Sequence, residues 1–125
     1  MNKVIATKNA PGAIGPYSQA ILAGDTLYCS GQIALIPETG EMVENDIALQ
    51  TRQVLTNLGA VLKEAGMGYE NVVKTTCLLK SMDDFVPMNK VYAEFFTKDC
   101  PARVAYEVGK LPKDALVEID CIAVK

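Results

Sequence analysis

The sequence predicts an α+β fold in which one mixed sheet carries two helices on a single face, in the order β-β-β-α-β-α-β-β. Three observations lead there. Two stretches repeat apolar residues at three- and four-residue spacing, the signature of amphipathic helices. Six shorter runs rich in β-branched and apolar residues lie between glycine, proline and aspartate punctuation, as strands do. The chain of 125 residues, half of them hydrophobic and 22% charged, matches the size and composition of one domain around one core. No repeat, low-complexity tract or linker divides it, so residues 1–125 read as a single domain.

In chain order, residues 4–6 read as a short strand, after which Asn9-Ala-Pro-Gly12 and Gly15-Pro16 impose an irregular segment. Residues 18–23, a Gly24-Asp25 turn and residues 26–30 form a predicted hairpin, followed by a loop through Pro37 and Gly40. The first helix carries Ile47, Thr51, Val54, Leu55, Leu58, Val61, Leu62 and Ala65 on one face, with Asn45 or Asp46 as its cap and Gly66 as its stop. Residues 71–80 are β-branched. Ser81, with Asp84 three residues on, resembles a cap for a second helix marked by Phe85, Met88, Tyr92, Phe95 and Phe96, whose Pro87 fits only the first turn. Residues 103–108 and 116–124 close the chain as strands, joined by a loop containing Gly109 and Pro112.

Composition removes several classes of function. The chain has no histidine, which excludes histidine-dependent nucleophilic triads, ribonuclease acid/base pairs and zinc sites. A net charge of -3 offers no cationic excess to displace counterions from a phosphate backbone, so nucleic-acid binding is disfavoured. No apolar run reaches the roughly 20 residues that cross a bilayer, and residues 1–12 lack the apolar centre of a secretory signal, which points to a cytoplasmic protein without a membrane partner. Cys29, Cys77, Cys100 and Cys121 form no C-x-x-C pair, and three of them sit in strand-like runs, as buried free thiols do.

Two-residue alternation along the strands predicts two sheet faces. One, holding Leu27, Cys29, Val73, Cys77, Leu79, Val104, Tyr106, Val108, Val117, Ile119 and Cys121, is apolar enough to receive both helices. The other holds Tyr28, Ser30, Val72, Thr76, Leu78, Arg103, Ala105, Glu118 and Ile122, a mixture suited to a subunit interface containing a polar site. Arg103, Glu118 and Ser30 thus share a predicted face, and the planar fork of arginine suits a small carboxylic acid. Arg103 and Glu118 also fit a cross-strand ion pair, a common sheet device worth about 0.2–1 kcal/mol. Glu118 is a candidate to hold or deprotonate water, and Asp120 shares its parity. Tyr17 fits a pocket wall or a turn, Gly31 a backbone donor or a bend, and Asn89 on the second helix reads as solvent-facing.

At these residues the chain closely resembles the YjgF/Rid family of reactive-intermediate (enamine/imine) deaminases. The strongest match runs from Pro101-Ala102-Arg103-Val104-Ala105-Tyr106 through Gly109-Lys110-Leu111-Pro112 to Val117-Glu118-Ile119. Ala13-Ile14-Gly15-Pro16-Tyr17-Ser18-Gln19, Ser30-Gly31-Gln32, Gln53 with Asn57-Leu58, Val73-Lys74-Thr75-Thr76, and Asn89 with Tyr92 and Phe95-Phe96 extend the resemblance over essentially the whole chain.

The resemblance implies a chorismate-mutase-like fold, a homotrimer with three clefts between subunits, and hydrolysis of 2-aminoacrylate and related 2-imino acids to 2-keto acids and ammonium without metal or cofactor. It implies that Arg103 binds the substrate carboxylate, that Glu118 holds the attacking water, and that Tyr17, Ser30, Gly31, Asn89 and Ala105 line the cleft. Many deaminase members carry cysteine where this chain has Ala105, so any role of that thiol is absent. The family has also been described as endoribonucleases and translation inhibitors, as small-ligand sensors and as chaperone-like holdases. A non-catalytic regulator would use the same Arg103 cleft without turnover.

Overall fold

In the computed structural model, which describes all residues from Met1 to Lys125, six strands form one sheet: β1 (Lys3–Ile5), β2 (Ala20–Ala23), β3 (Thr26–Gln32), β4 (Val72–Leu79), β5 (Ala102–Glu107) and β6 (Val117–Val124). Their order across the sheet is β1-β2-β3-β6-β4-β5. All neighbours pair antiparallel except β4 and β5, which run parallel because a helix crosses between them. The element order and the α+β class match the sequence expectation.

Helix α1 (Ile47–Glu64) begins at Asp46, whose carboxylate accepts the Leu49 N–H at 2.9 Å and satisfies one of the orphan donors of the first turn. It ends in a Schellman closure: Met67 N–H reaches the Leu62 carbonyl and Gly66 N–H the Lys63 carbonyl, both at 2.9 Å. Gly66 makes this possible by taking φ 74, the left-handed region that costs glycine nothing. The buried stripe of Val54, Leu55, Leu58, Val61 and Leu62 packs on the sheet, each large side chain contributing about 1.5–3 kcal/mol on leaving water. Ser81 caps a 3₁₀ turn at Met82–Asp84, accepting the Asp83 N–H at 3.1 Å, and helix α2 (Phe85–Phe95) starts only after that turn. Pro87 lies in the first turn of α2, where no intrahelical N–H is needed.

The helix-covered face holds Leu27, Cys29, Cys77, Leu79, Val117, Ile119 and Cys121, as alternation predicts. Two strands depart from it. A bulge between Val72 and Lys74 in the pairing of β4 with β6 reverses the first residues of β4, so Val72 is buried in the core and Val73 is exposed. Strand β5 is turned over as a whole. Its parallel register places Arg103 beside Thr75 and Ala105 beside Cys77, which are core-facing positions of β4. Arg103 and Ala105 therefore share the helix side, while Val104 and Tyr106, expected in the core, stand exposed on the open face. Alternation tells which residues share a face and not which face they share. On an edge strand with apolar residues at both parities, the register with β4 decides.

The open face is covered by no element of the chain. It presents Tyr28, Val104 and Tyr106, 50%, 44% and 49% exposed, around the polar residues of β4 and β6.

Candidate active site

The sequence-predicted site residues fall into two groups. The first surrounds a cavity of about 510 Å³ lined by Ile14, Tyr17, Ser30, Gly31, Lys113 and Glu118 among others. The loop before β2 brings Tyr17 and Ser18 beside β3: the Ser30 hydroxyl donates to the Ser18 carbonyl at 2.6 Å, and Ser30 N–H donates to the Gln19 carbonyl at 2.9 Å. Gln19 itself is buried and staples the N-terminal loop, accepting Thr7 N–H at 2.7 Å and donating to the Pro11 carbonyl at 2.7 Å. On the far side, buried Asn57 donates to the Leu35 carbonyl at 2.9 Å and so fixes another part of the lining.

Glu118 rises from the open face of β6 and folds over Gly31. A methyl group at position 31 would stand 3.0 Å from Glu118 Cδ and strike the carboxylate oxygen beyond it, so the close approach requires a residue without Cβ. Burial pushes the Glu118 carboxyl above the ordinary glutamate range, and the negative charge of Asp120 adds to the rise. Of the two carboxylates that the sequence left open, Glu118 lines the cavity and Asp120 lies two residues further along the same face.

The second group lies on the other side of the sheet. Arg103 Nη1 donates to Asn89 Oδ1 at 2.7 Å, and the guanidinium carbon sits 5.4 Å from the ring centre of Phe85 and 4.9 Å from that of Tyr92. Asn89 is thus turned inward to Arg103, correcting the solvent-facing expectation. Two of the aromatic residues that mark α2 in the sequence, Phe85 and Tyr92, thus enclose a cation. Tyr92 is held in turn by a 2.8 Å hydrogen bond with the buried Thr75 hydroxyl. Below them, burial pushes the Cys77 thiol up to about 11 although Arg103 opposes the shift.

The expectation that Arg103 and Glu118 share a face is overturned, and the ion pair between them with it. On β4, which separates their strands, Arg103 is level with Thr75 and Glu118 with Leu78. Three residues and two strand spacings place them about 10 Å apart along the strands and about 10 Å across them, with side chains on opposite faces. No carboxylate of the chain comes within 4.0 Å of the Arg103 guanidinium, since the two salt bridges are Arg52–Glu94 and Lys80–Asp114.

Lys113 escaped sequence reasoning. It lines the cavity from a 3₁₀ turn in which it adopts φ 55 and Asp114 φ 56, a conformation that nothing in residues 112–114 announces. Phe85 escaped sequence reasoning too as a partner for Asn89, although the i, i+4, i+7 spacing of Phe85, Asn89 and Tyr92 puts all three on one helix face.

Comparison with known proteins is consistent over the full length. A RutC family protein of Pyrococcus horikoshii is 57% identical over 125 residues, covering 100% of this chain and 99% of the relative. The 2-iminobutanoate/2-iminopropanoate deaminase of Homo sapiens is 46% identical, covering 100% of this chain and 91% of its own. The crystal structure of E. coli TdcF with bound serine superposes with a TM-score of 0.95 at 40% identity, covering 98% of both chains. The family model described as Endoribonuclease L-PSP matches residues 7–125. With that match and relatives this similar over their whole length, the chain belongs to the YjgF/Rid family, also described as endoribonuclease L-PSP.

Proposed function

We propose that the chain is a cofactor-independent deaminase that hydrolyses 2-aminoacrylate and related 2-imino acids to 2-keto acids and ammonium, in a cleft shared by two copies of the chain. Arg103 of one copy binds the substrate carboxylate, with Asn89 and Ala105 beside it, and the neighbouring copy brings Glu118, Tyr17, Ser30 and Gly31. The observation that carries this reading is the Arg103 guanidinium, half-buried and aligned by α2 yet without a carboxylate partner in its own chain. Such a fork is a ready receptor for a small acid. The assembly is a homotrimer with three such clefts, in which the exposed Tyr28, Val104 and Tyr106 become buried.

The chemistry follows from the groups present. A 2-enamine first gains a proton from solvent at C3 and becomes the protonated 2-imine. Arg103 holds its carboxylate, and a water lies against Glu118. The protonated imine carbon is electrophilic and needs chiefly orientation and a base. As the water oxygen bonds to C2, the ionised Glu118 takes a proton from it and the C=N π pair moves to nitrogen. Glu118 then returns that proton to the nitrogen, the C–N bond breaks, and ammonia leaves as the C2 hydroxyl becomes a carbonyl, its proton completing ammonium. A carboxyl held above its ordinary range is a stronger base towards water than an ordinary glutamate, and the amine nitrogen of the adduct, more basic still than a carboxylate, takes the proton back.

Relatives of this fold also carry the name endoribonuclease, but an acidic chain of net charge -3 without histidine favours the small-acid substrate. Free cysteines at all four positions suit a cytoplasmic, reducing location. No helix is long and apolar enough to cross a membrane. The test generates 2-aminoacrylate in situ with a serine dehydratase and measures pyruvate release. Acceleration above the spontaneous rate is expected. An unchanged rate, with pyruvate binding retained, would make the protein a carboxylate-binding regulator.

A further inference from the structure

We infer that Phe85 and Tyr92 are positioning residues for Arg103, forming with Asn89 a single stripe of α2 that fixes the guanidinium plane and leaves its outer donors for the substrate. This rests on the reading of Arg103 as the carboxylate-binding group and names what makes that residue effective.

Phe85, Asn89 and Tyr92 occur at i, i+4 and i+7 of α2 and face β5 together. The guanidinium carbon lies within 6 Å of both ring centres, the range in which the electron-rich face of an aromatic ring attracts a cation. Asn89 accepts from Nη1 between them. No other protein group takes a hydrogen bond from the guanidinium. A free arginine side chain would sample many rotamers and lose that freedom on binding, whereas this one is already ordered. The rings supply attraction without accepting hydrogen bonds in the plane, so they stabilise the cation without using up the fork. A carboxylate in the same place would neutralise the charge and occupy the donors.

The two rings are anchored differently. Tyr92 is buried, tied to Thr75 and packed against the tilted ring of Phe96 at 4.6 Å between centres, while Phe85 is only half-buried. Phe85 is therefore the position at which the ring can be altered with least damage to the core.

The experiment titrates the intact protein with pyruvate by calorimetry and measures kcat and KM for imine hydrolysis. Phe85→Leu should weaken pyruvate binding about fivefold, equivalent to about 1 kcal/mol, with a parallel rise in KM and a smaller change in kcat. Phe85→Tyr should restore binding. Pentafluorophenylalanine at position 85 keeps the shape but withdraws charge from the ring face, and should behave as leucine does even if Phe85→Leu folds poorly. Wild-type affinity with the fluorinated residue would overturn the cradle while leaving Arg103 as the ligand, provided Arg103→Lys binds weakly. Wild-type affinity in Arg103→Lys would overturn both.

Discussion

Arg103 and Glu118 stand on opposite faces of one sheet, with β4 between their strands and their levels three residue steps apart along β4. Side chains so placed cannot grip one small molecule from a single chain. If the cleft takes Arg103 from one copy and Glu118 from the next, Arg103→Ala and Glu118→Gln subunits, each inactive alone, should rescue one another after mixing and reassembly. Random assembly at equal ratio restores about a quarter of the clefts, because each cleft draws its two halves independently. Mixed oligomers with no more activity than their parents would rule out the shared cleft. A stable monomer at micromolar concentration, measured by sedimentation, would do the same.

The pH dependence follows from Glu118. Its folded-state carboxyl titrates above the ordinary value of 4.5 because burial, and then Asp120, disfavour the charge. Since the folded chain binds this proton more tightly than the unfolded one, the stability it contributes is complete below the ordinary value. That contribution is lost as pH rises through the elevated one. Activity runs the other way, rising through the same window as the base ionises. Asp120→Asn should move the acid limb of kcat/KM to lower pH, and Glu118→Gln should abolish the limb. Glu118→Gln should also cut kcat by about 10²–10⁴ with little effect on pyruvate affinity. A larger loss in Asp120→Asn would assign the base to Asp120.

Native alkylation should reach Cys100 alone. Cys29, Cys77 and Cys121 are buried, and burial raises the Cys77 thiol to about 11, while a hydrogen bond with Cys29 and then burial push Cys121 up strongly. Mass spectrometry after iodoacetamide treatment should find one adduct and full imine hydrolysis. Loss of activity with modification confined to Cys100 would place that thiol near the cleft.

The element order was legible because the stripe of α1 and the punctuation around each strand repeat a local rule. The facing of β5 was not, because Arg103-Val104-Ala105-Tyr106 has apolar residues at both parities and its register with β4 is a long-range fact. The bulge that exchanges Val72 for Val73 left no local mark either. Parity did place Glu118 and Ser30 on the open face, since Val117, Ile119 and Cys121 leave β6 only one way to turn. The inward turn of Asn89 is hidden for a related reason: a polar residue on an amphipathic helix looks solvent-facing until a cation is found opposite it.

Gly31→Ala tests the geometry of the carboxyl without touching it chemically. The three atoms nearest to the new methyl all belong to the Glu118 side chain, with Cδ at 3.0 Å. A flexible carboxyl can swing aside, so stability should change by less than about 1 kcal/mol. The swing moves the base by roughly a methyl radius, and misplacement of about 1 Å at a reacting centre costs about 10²-fold in rate. We therefore expect kcat to fall about 10²-fold at a nearly unchanged melting temperature. In a Glu118→Gln background the same change should cost almost nothing further, because the two substitutions remove one function. If Gly31→Ala turns over normally, the carboxyl need not lie over Gly31 during hydrolysis. If its effect persists in full beside Glu118→Gln, the methyl obstructs the substrate and not the base.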